Sequence, residues 1–544
     1  MHSSVAGPSA LGDFDHIIVG AGAAGCVLAN RLSADPAVRV LLLEAGGERA
    51  PFWVPVPLGV YKTIGDPRVD WRFKTDPEPG LDQRQIPVPR GLGLGGSTLL
   101  YGMVYIRGQA SDYDRWRDLG NPGWGWSDVL PLFKRSEDFH AGANGDHGAG
   151  GEWRVEDIGS RWEILDRFRE GAQTLGIPAV DDVNSGDNHG LGYFHVTQRS
   201  GRRVSSRSAF LDPVRHRANL VVLADSLARR LLLEGRRVVG VEFWRGGVLH
   251  SARARIEVAL SCGAIGSPQL LQASGIGPAE LLQRYGVPVL HALPGVGENL
   301  QDHLQTRMMV RVQHAPTMNR RASSALGRLS IGLEYLLLRR GPLAAGAPKM
   351  CGFVRSDPQQ ATPNVQYHLI PMSTASFGAA VHPFPAVTVS ICNLRPTSRG
   401  SVRLRSADTR QAPSILGNFL STAEDQRVAV DAMRLTRRIW GAEPLARHAP
   451  VEFEPGGALQ SDDELLAHAR RTAITVFHPV GSCRMGSDEQ AVVDARLRVR
   501  GLTGLRVADA SVMPTIPSGN TAAAVIMIGE KAADMMAEDR RHAG

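Results

Sequence analysis

The chain has 544 residues, 43% of them hydrophobic, and 61 Lys plus Arg against 54 Asp plus Glu, a formal net charge of +7. That length exceeds what one hydrophobic core sustains, so two intertwined domains are expected. The densest basic stretch, 199–207 (RSGRRVSSR), is short and carries no interleaved aromatics, which argues against a nucleic-acid-binding face, and no apolar run reaches the ~18–20 residues of a membrane span.

The first dozen residues, MHSSVAGPSALG, lack the basic and apolar regions of a secretory signal and read as a frayed tail. The cysteines Cys26, Cys262, Cys351, Cys392 and Cys483 are dispersed with no CxxC, as in a reducing compartment. A soluble cytoplasmic protein is therefore expected. Residues 14–19 (FDHIIV) predict a buried strand running into Gly20-x-Gly22-x-x-Gly25, with a helix over 23–33 and a second strand over 38–44 ending at Glu44. A Pro-rich excursion over 51–57 and 76–89 leads to 90–108 (RGLGLGGSTLLYGMVYIRG), read as a glycine-dense turn entering a helix. Residues 139–151 read as a flexible surface loop. Strand patterns alternate with turns over 218–260, with a hairpin or meander turn at Glu234-Gly235, and 263–285 predicts a glycine turn followed by helix. Over 316–470 the patterns PNVQYHLIP, AVTVSICNLRP and GSVRLRS predict an antiparallel sheet, with helices at 324–339 and 422–440. A strand over 505–511 and a helix from 521 to 537 close the chain.

A lone GxGxxG is weak evidence. Here a strand precedes it, a helix follows, and an acid lies about twenty positions on, which is the βαβ context of a dinucleotide site. The glycines permit a tight turn and close approach of the pyrophosphate to a helix N-terminus. Glu44 can accept from both ribose hydroxyls, and its charge disfavours a 2′-phosphate. A second glycine cluster with Gly95 and Ser97, and a C-terminal strand ending at Asp509, suit a longer cofactor than NAD and favour FAD.

At this point five ordered blocks resemble the glucose–methanol–choline (GMC) flavin oxidoreductases over nearly the whole length: the fingerprint, 90–108, GAIGSPQLLQASGIGP (263–278), VGENLQDH (296–303) and HPVGSCRMG (478–486). Within that family the chain is most similar to the choline-dehydrogenase-like and alcohol-dehydrogenase-like branch. The resemblance implies an α/β composite fold: a discontinuous Rossmann-type FAD-binding domain (13–55, 84–155, 203–315 and 471–544) and an antiparallel-sheet substrate-binding domain with connecting excursions (56–83, 156–202 and 316–470). It implies FAD contacts at Gly20, Gly22, Gly25, Glu44, Arg90, Gly95, Ser97, Val222, Asp509 and Ala510, with Thr521 near the flavin pyrimidine. Some members link a histidine covalently to the flavin; the matching position here is Leu100, which implies non-covalent FAD. Tyr101 stands where the family usually has Asn, and either narrows the pocket or points away as packing.

Oxidising an alcohol with flavin needs a hydride acceptor at N5 and a base for the hydroxyl proton, a task suited to imidazole. His478, stiffened by Pro479, is the candidate base, and Asn520 is its partner on the substrate oxygen, with helix capping as its alternative role. The expected reaction is oxidation of a primary alcohol to an aldehyde, with O2, a quinone or another carrier as acceptor. The alternatives are a lyase or photodecarboxylase on the same fold, and a non-enzymatic flavoprotein. No metal site is expected, since Asp302-His303 lacks further clustered ligands. The apolar segment 329–340 with two terminal arginines offers a peripheral membrane contact if the acceptor is a quinone.

Overall fold

The computed structural model describes residues 9–186, 188–376 and 378–543. Two seven-stranded sheets organise it. In the first, Ser9–Val19 lies between two parallel partners, Val40–Leu43 and Val248–Leu260. Leu220–Leu223 extends the sheet in parallel beyond Val40–Leu43, and Leu505–Val507 joins the end of Val248–Leu260 in parallel. Arg237–Arg245 and Ser226–Glu234 add an antiparallel meander on the other side. Ile17, Ile18 and all of Val40–Leu43 are fully buried, as strands covered on both faces must be. The helices Ala23–Leu32 and Ala522–Ala543 meet so closely that a Cβ on Gly529 would lie 3.0 Å from the Ala24 Cα.

The second sheet is antiparallel throughout. Its order is Val451–Glu454, Leu304–Arg311, Ala386–Asn393, Val365–Ile370, Met350–Val354 and Gly190–Tyr193, with Ile474–Thr475 also pairing on Leu304–Arg311. Successive side chains alternate between faces. Met308, Val310, Val387, Val389, Ile391, Val365, Tyr367 and Leu369 pack into a core with the helix Ala423–Trp440. The opposite face presents Gln305, Arg307, Ser390, Gln366 and His368, and this polar face looks onto the first sheet's strand ends.

Four local expectations are corrected. The tail is not frayed over its full first dozen residues: Ser9 and Ala10 already pair with His250 and Ser251, so the first strand begins before residue 14; residues 1–8 lie outside the described residues. The stretch 90–108 holds only a short 3-10 turn, Gly96–Leu99, and the α-helix starts at Ala110, because positive φ at Gly93, Gly95 and Gly96 breaks the helical path. Residues 139–151 are anchored rather than free, since buried His147 sits 2.9 Å from Glu137 and 2.7 Å from Asp182. GSVRLRS does not join the large sheet; Ser401–Arg403 pairs with Ser414–Leu416 in a separate hairpin. Among the described residues, no helix is long and apolar enough to cross a membrane.

Candidate active site

A cavity of about 380 Å³ runs between the two sheets, from the glycine fingerprint to the polar face of the second sheet. At the fingerprint end backbone meets backbone. Gly20 has φ +102°, and a Cβ there would lie 2.5 Å from the Ser261 carbonyl; on Gly25 it would lie 1.9 Å from the Gly20 carbonyl. Gly96 packs on Gly22, so the two glycine clusters touch. A Cβ on Gly22 would meet nothing closer than 3.8 Å: it faces the cavity, in the place a phosphate of a dinucleotide needs. Above it, the helix Ala23–Leu32 has no side-chain cap and no acid in its first turn, so its leading N–H groups keep their capacity for an anion.

The two acids of the cavity wall tie loops together. Glu44 accepts from the backbone N–H of Ala21 (2.9 Å), Gly46 (2.9 Å) and Gly93 (3.0 Å). Asp509 accepts from Gly263 N–H (2.9 Å), the Ser267 hydroxyl (2.6 Å) and Ser511 N–H (2.8 Å). Burial raises both carboxyls, and these donors hold them down. Both carboxylates face the cavity while they hold these loops. Ser97, Ala510, Thr521, Arg90 and Leu100 also line the cavity. Gly25 and Gly95 stand behind the wall as packing points. Val222 sits in its parallel strand opposite Leu42, and just beyond it Ser226, Leu227 and Ala228 line the cavity.

At the other end lies a chain of side-chain contacts from four separate segments. His303 Nε2 is 3.2 Å from the Leu394 carbonyl, which only accepts, so that nitrogen carries the proton. His303 Nδ1 must then accept across the 3.0 Å contact with His478 Nδ1, so His478 carries its proton on Nδ1. The lone pair of His478 Nε2 remains, 3.1 Å from Asn520 Nδ2, which donates to it. Gln366 Nε2 donates to Asn520 Oδ1 at 3.1 Å and fixes which way the amide faces. Burial lowers His303 to about 4 and lowers His478 well below its ordinary value, the latter helped by His303, His368 and Arg90. Both rings are therefore neutral near neutral pH, rather than poised at it.

The backbone beside His478 is held with equal care. Asp302 accepts from His478 N–H at 2.8 Å and from the Thr475 hydroxyl, and Arg90 donates to the Phe477 carbonyl. Phe477 has φ +70°, a left-handed conformation these contacts stabilise. Sequence reasoning considered Asp302 and His303 only as metal ligands; their adjacency to one another in the block VGENLQDH was the available signal. Asn520 lies two residues ahead of the helix Ala522–Ala543, with its side chain on His478 and Gln366 rather than on helix amides. Tyr101 points away: its hydroxyl bonds to Thr197 and to the Val204 carbonyl (2.8 Å), leaving only its ring at the wall. All five cysteines are free, and Cys483 is buried with its thiol raised well above the ordinary value, which leaves no nucleophile beside His478.

The cavity thus joins a glycine-built cradle at one end to a buried His–Asn pair at the other. Family models described as GMC oxidoreductase match residues 14–305 and 396–529, and the chain belongs to that family. It is 42% identical to an "Oxygen-dependent choline dehydrogenase" of Pectobacterium carotovorum subsp. carotovorum (strain PC1), covering 96% of this chain and 94% of that protein. It is 40% identical to an "Alcohol dehydrogenase [acceptor]" of Pseudomonas putida, covering 96% and 95%. Among solved structures, pyridoxine 4-oxidase from "Mesorbium loti" is similar at 33% identity and TM-score 0.86, covering 97% and 99%. An FAD-dependent oxidoreductase from Chaetomium thermophilum is similar at 26% identity and TM-score 0.88, covering 97% and 100%. The protein is thus an enzyme of the flavin-using GMC family, acting on CH–OH donors.

Proposed function

We propose that the protein oxidises a primary alcohol to its aldehyde, with FAD held non-covalently along the cavity, His478 as base and Asn520 as its partner. When bound, FAD supplies the hydride acceptor. The open face of Gly22, the free first turn of Ala23–Leu32 and the carboxylates of Glu44 and Asp509 on the cavity wall fit its pyrophosphate and its hydroxylated chains. Leucine at position 100 has no atom able to bond a flavin covalently. The backbone of Val222, in the strand beside the one that ends at Glu44, and the cavity-lining Ser226, Leu227 and Ala228 are the groups proposed for the adenosine end.

The observation that carries the reading is the His478 Nε2 lone pair, kept unprotonated by His303 and met by the Asn520 amide N–H, which a substrate hydroxyl entering between the two can take over. A substrate hydroxyl there donates its proton to Nε2 and accepts from the Asn520 amide. The alkoxide character so created drives hydride loss from carbon.

The wall also speaks to the substrate. Its described acids, Glu44 and Asp509, are both at the nucleotide end, while Arg307 faces the cavity from the second sheet, with the Glu454 carboxyl, itself off the cavity wall, near enough to feel its charge. A quaternary ammonium would meet the like charge of Arg307 on a stretch of wall that carries no acid of its own among the described residues, so the favoured substrate is an uncharged primary alcohol rather than choline. The test is an anaerobic screen of the FAD-loaded enzyme, following flavin absorbance and then repeated in air with peroxide detection to identify an oxidase. Neutral primary alcohols should bleach the flavin with an efficiency about tenfold or more above choline, the scale of one unfavourable charge contact. Absence of bleaching by any alcohol contradicts the reaction; choline as the best substrate contradicts the reading of Arg307.

A further inference from the structure

The helix Ala325–Leu338 turns its apolar side the wrong way for a core helix. Inward it buries Ile331 and Tyr335. Outward, Leu326 is 81% exposed, Leu329 58%, Leu333 47%, Leu336 55% and Leu337 76%. Their three- and four-residue spacing makes one continuous leucine stripe along the solvent side. Scattered exposed leucines need no explanation, but a stripe of this length marks a contact surface.

Arginines frame the stripe. Arg320 and Arg321 precede the helix, Arg328 lies within it, and Arg339 and Arg340 follow it; all are exposed. The one acid between residues 316 and 348 is Glu334, which is engaged by Arg321 at 2.6 Å. A second copy of the chain docked by a two-fold axis would set these arginines against their own images. An anionic lipid surface neutralises them and takes up the leucines, the arrangement of an interfacial amphipathic helix.

The stripe adjoins the cavity. Tyr335 packs with Val56 and Ala344, and Trp53 and Leu343 lie against that cluster. Past the turn Pro57–Gly59 the chain lines the cavity with Val60, Tyr61 and Ile64, and past Pro342–Ala344 it does so with Ala347 and Pro348. Phe52, 62% exposed, stands edge-on to Trp53.

We propose that the helix Ala325–Leu338 docks the protein onto an anionic bilayer, leucines inserted and arginines among the headgroups, with the cavity-lining segments beside the lipid. This rests on the exposed surface alone and is independent of which alcohol is oxidised.

The experiment is co-sedimentation of the FAD-loaded protein with vesicles of phosphatidylcholine alone or mixed with phosphatidylglycerol. The parent should pellet with the mixed vesicles, with a partition coefficient about tenfold or more above that for phosphatidylcholine. Leu329→Gln/Leu333→Gln/Leu337→Gln should lose about tenfold or more of the partitioning while keeping bound flavin and its rate with a water-soluble alcohol. Arg328→Gln/Arg339→Gln/Arg340→Gln should lose the preference for the anionic lipid. A parent that stays in the supernatant with both vesicles overturns the proposal, and needs no variant to do so. So does a leucine variant that pellets like the parent, or a parental dimer that the leucine variant dissolves and that ignores vesicles.

Discussion

The two ends of the cavity spend their buried polar groups differently. At the nucleotide end, Glu44 and Asp509 mostly accept from backbone N–H groups of loops close by in the sheet, and glycines press directly on neighbouring carbonyls. At the His478 end, side chains bond to side chains across four segments: 302–303, 366, 478 and 520. The first end is a mould whose shape the backbone sets. The second is a set of aimed atoms, each correct only if its neighbour is correct. A change at the mould should therefore cost cofactor, and a change in the chain should cost rate while the cofactor stays.

The largest break is expected at Gly25. A methyl there would collide with the Gly20 carbonyl, and neither backbone can retreat without opening the fingerprint. Gly25→Ala should be purified without flavin, which the ratio of visible to ultraviolet absorbance reports. A yellow Gly25→Ala protein would mean the turn is softer than the structure has it.

The next effect sharpens the contrast from the other end. His303 touches no substrate; it sets which nitrogen of His478 is free. His303→Leu removes the acceptor for His478 Nδ1–H and should slow anaerobic flavin reduction by about 10–100-fold with full flavin content, short of the loss from deleting the base itself. His303→Asn, whose amide oxygen can accept that proton, should recover part of the loss. Equal rates in both variants would assign His303 to packing alone.

Glu44→Ala should give a change of the same order, on the cofactor side only. Charged hydrogen bonds are worth about 1.5–3 kcal/mol, so FAD should dissociate about 10–100-fold more readily, measured by flavin lost on dialysis, with the rate of the loaded fraction unchanged.

The mildest effect is on acid stability. Burial lowers His16, His303 and His368 each to about 4. Their folded values lie below the unfolded one, so the unfolded chain binds more protons between about pH 4 and 6.5. Stability from these three groups is full above the unfolded value and is lost as pH falls through that window. Glu78 and Asp302, raised by burial to about 7 and about 6, gain stability over the same window and offset part of this loss. Removing one ring, as in His16→Phe, should therefore flatten the thermal melts between about pH 7 and pH 4 relative to the parent, and an unchanged pH dependence would mean that the ring is not held neutral.

The same contrast governs what could be read from the chain. The βαβ unit was legible because Ile17, Ile18 and Val40–Leu43 are buried on both faces, and because glycine is the sole residue that fits at Gly20 and Gly25. The antiparallel sheet was legible from the strand patterns around 365–370 and 386–393, and the helices expected at 324–339 and 422–440 are Ala325–Leu338 and Ala423–Trp440, each capped by the side chain ahead of it. His478 and Asn520 came from family blocks, and the structure brings them within 3.1 Å. The partners that orient them were not legible. His303 lies 175 residues from His478 along the chain, and Gln366 lies 154 from Asn520, so no local spacing connects them. The 139–151 stretch misled for a related reason: its glycines are visible in sequence, while the burial of His147 against Asp182 depends on a distant segment.

The central claim is that His478 takes the hydroxyl proton, from a ring already neutral and already turned. Anaerobic stopped-flow reduction of the bound flavin by a neutral primary alcohol tests it most directly, in the parent and in His478→Ala. The parent should reduce at a rate that is level between about pH 6 and 9 and falls only in acid, because burial keeps the base unprotonated. His478→Ala should keep its FAD and reduce about 10²–10⁴-fold more slowly, with the fall in acid gone. A His478→Ala enzyme that retains FAD and reduces it at the parental rate, with the parental pH profile, would contradict the account.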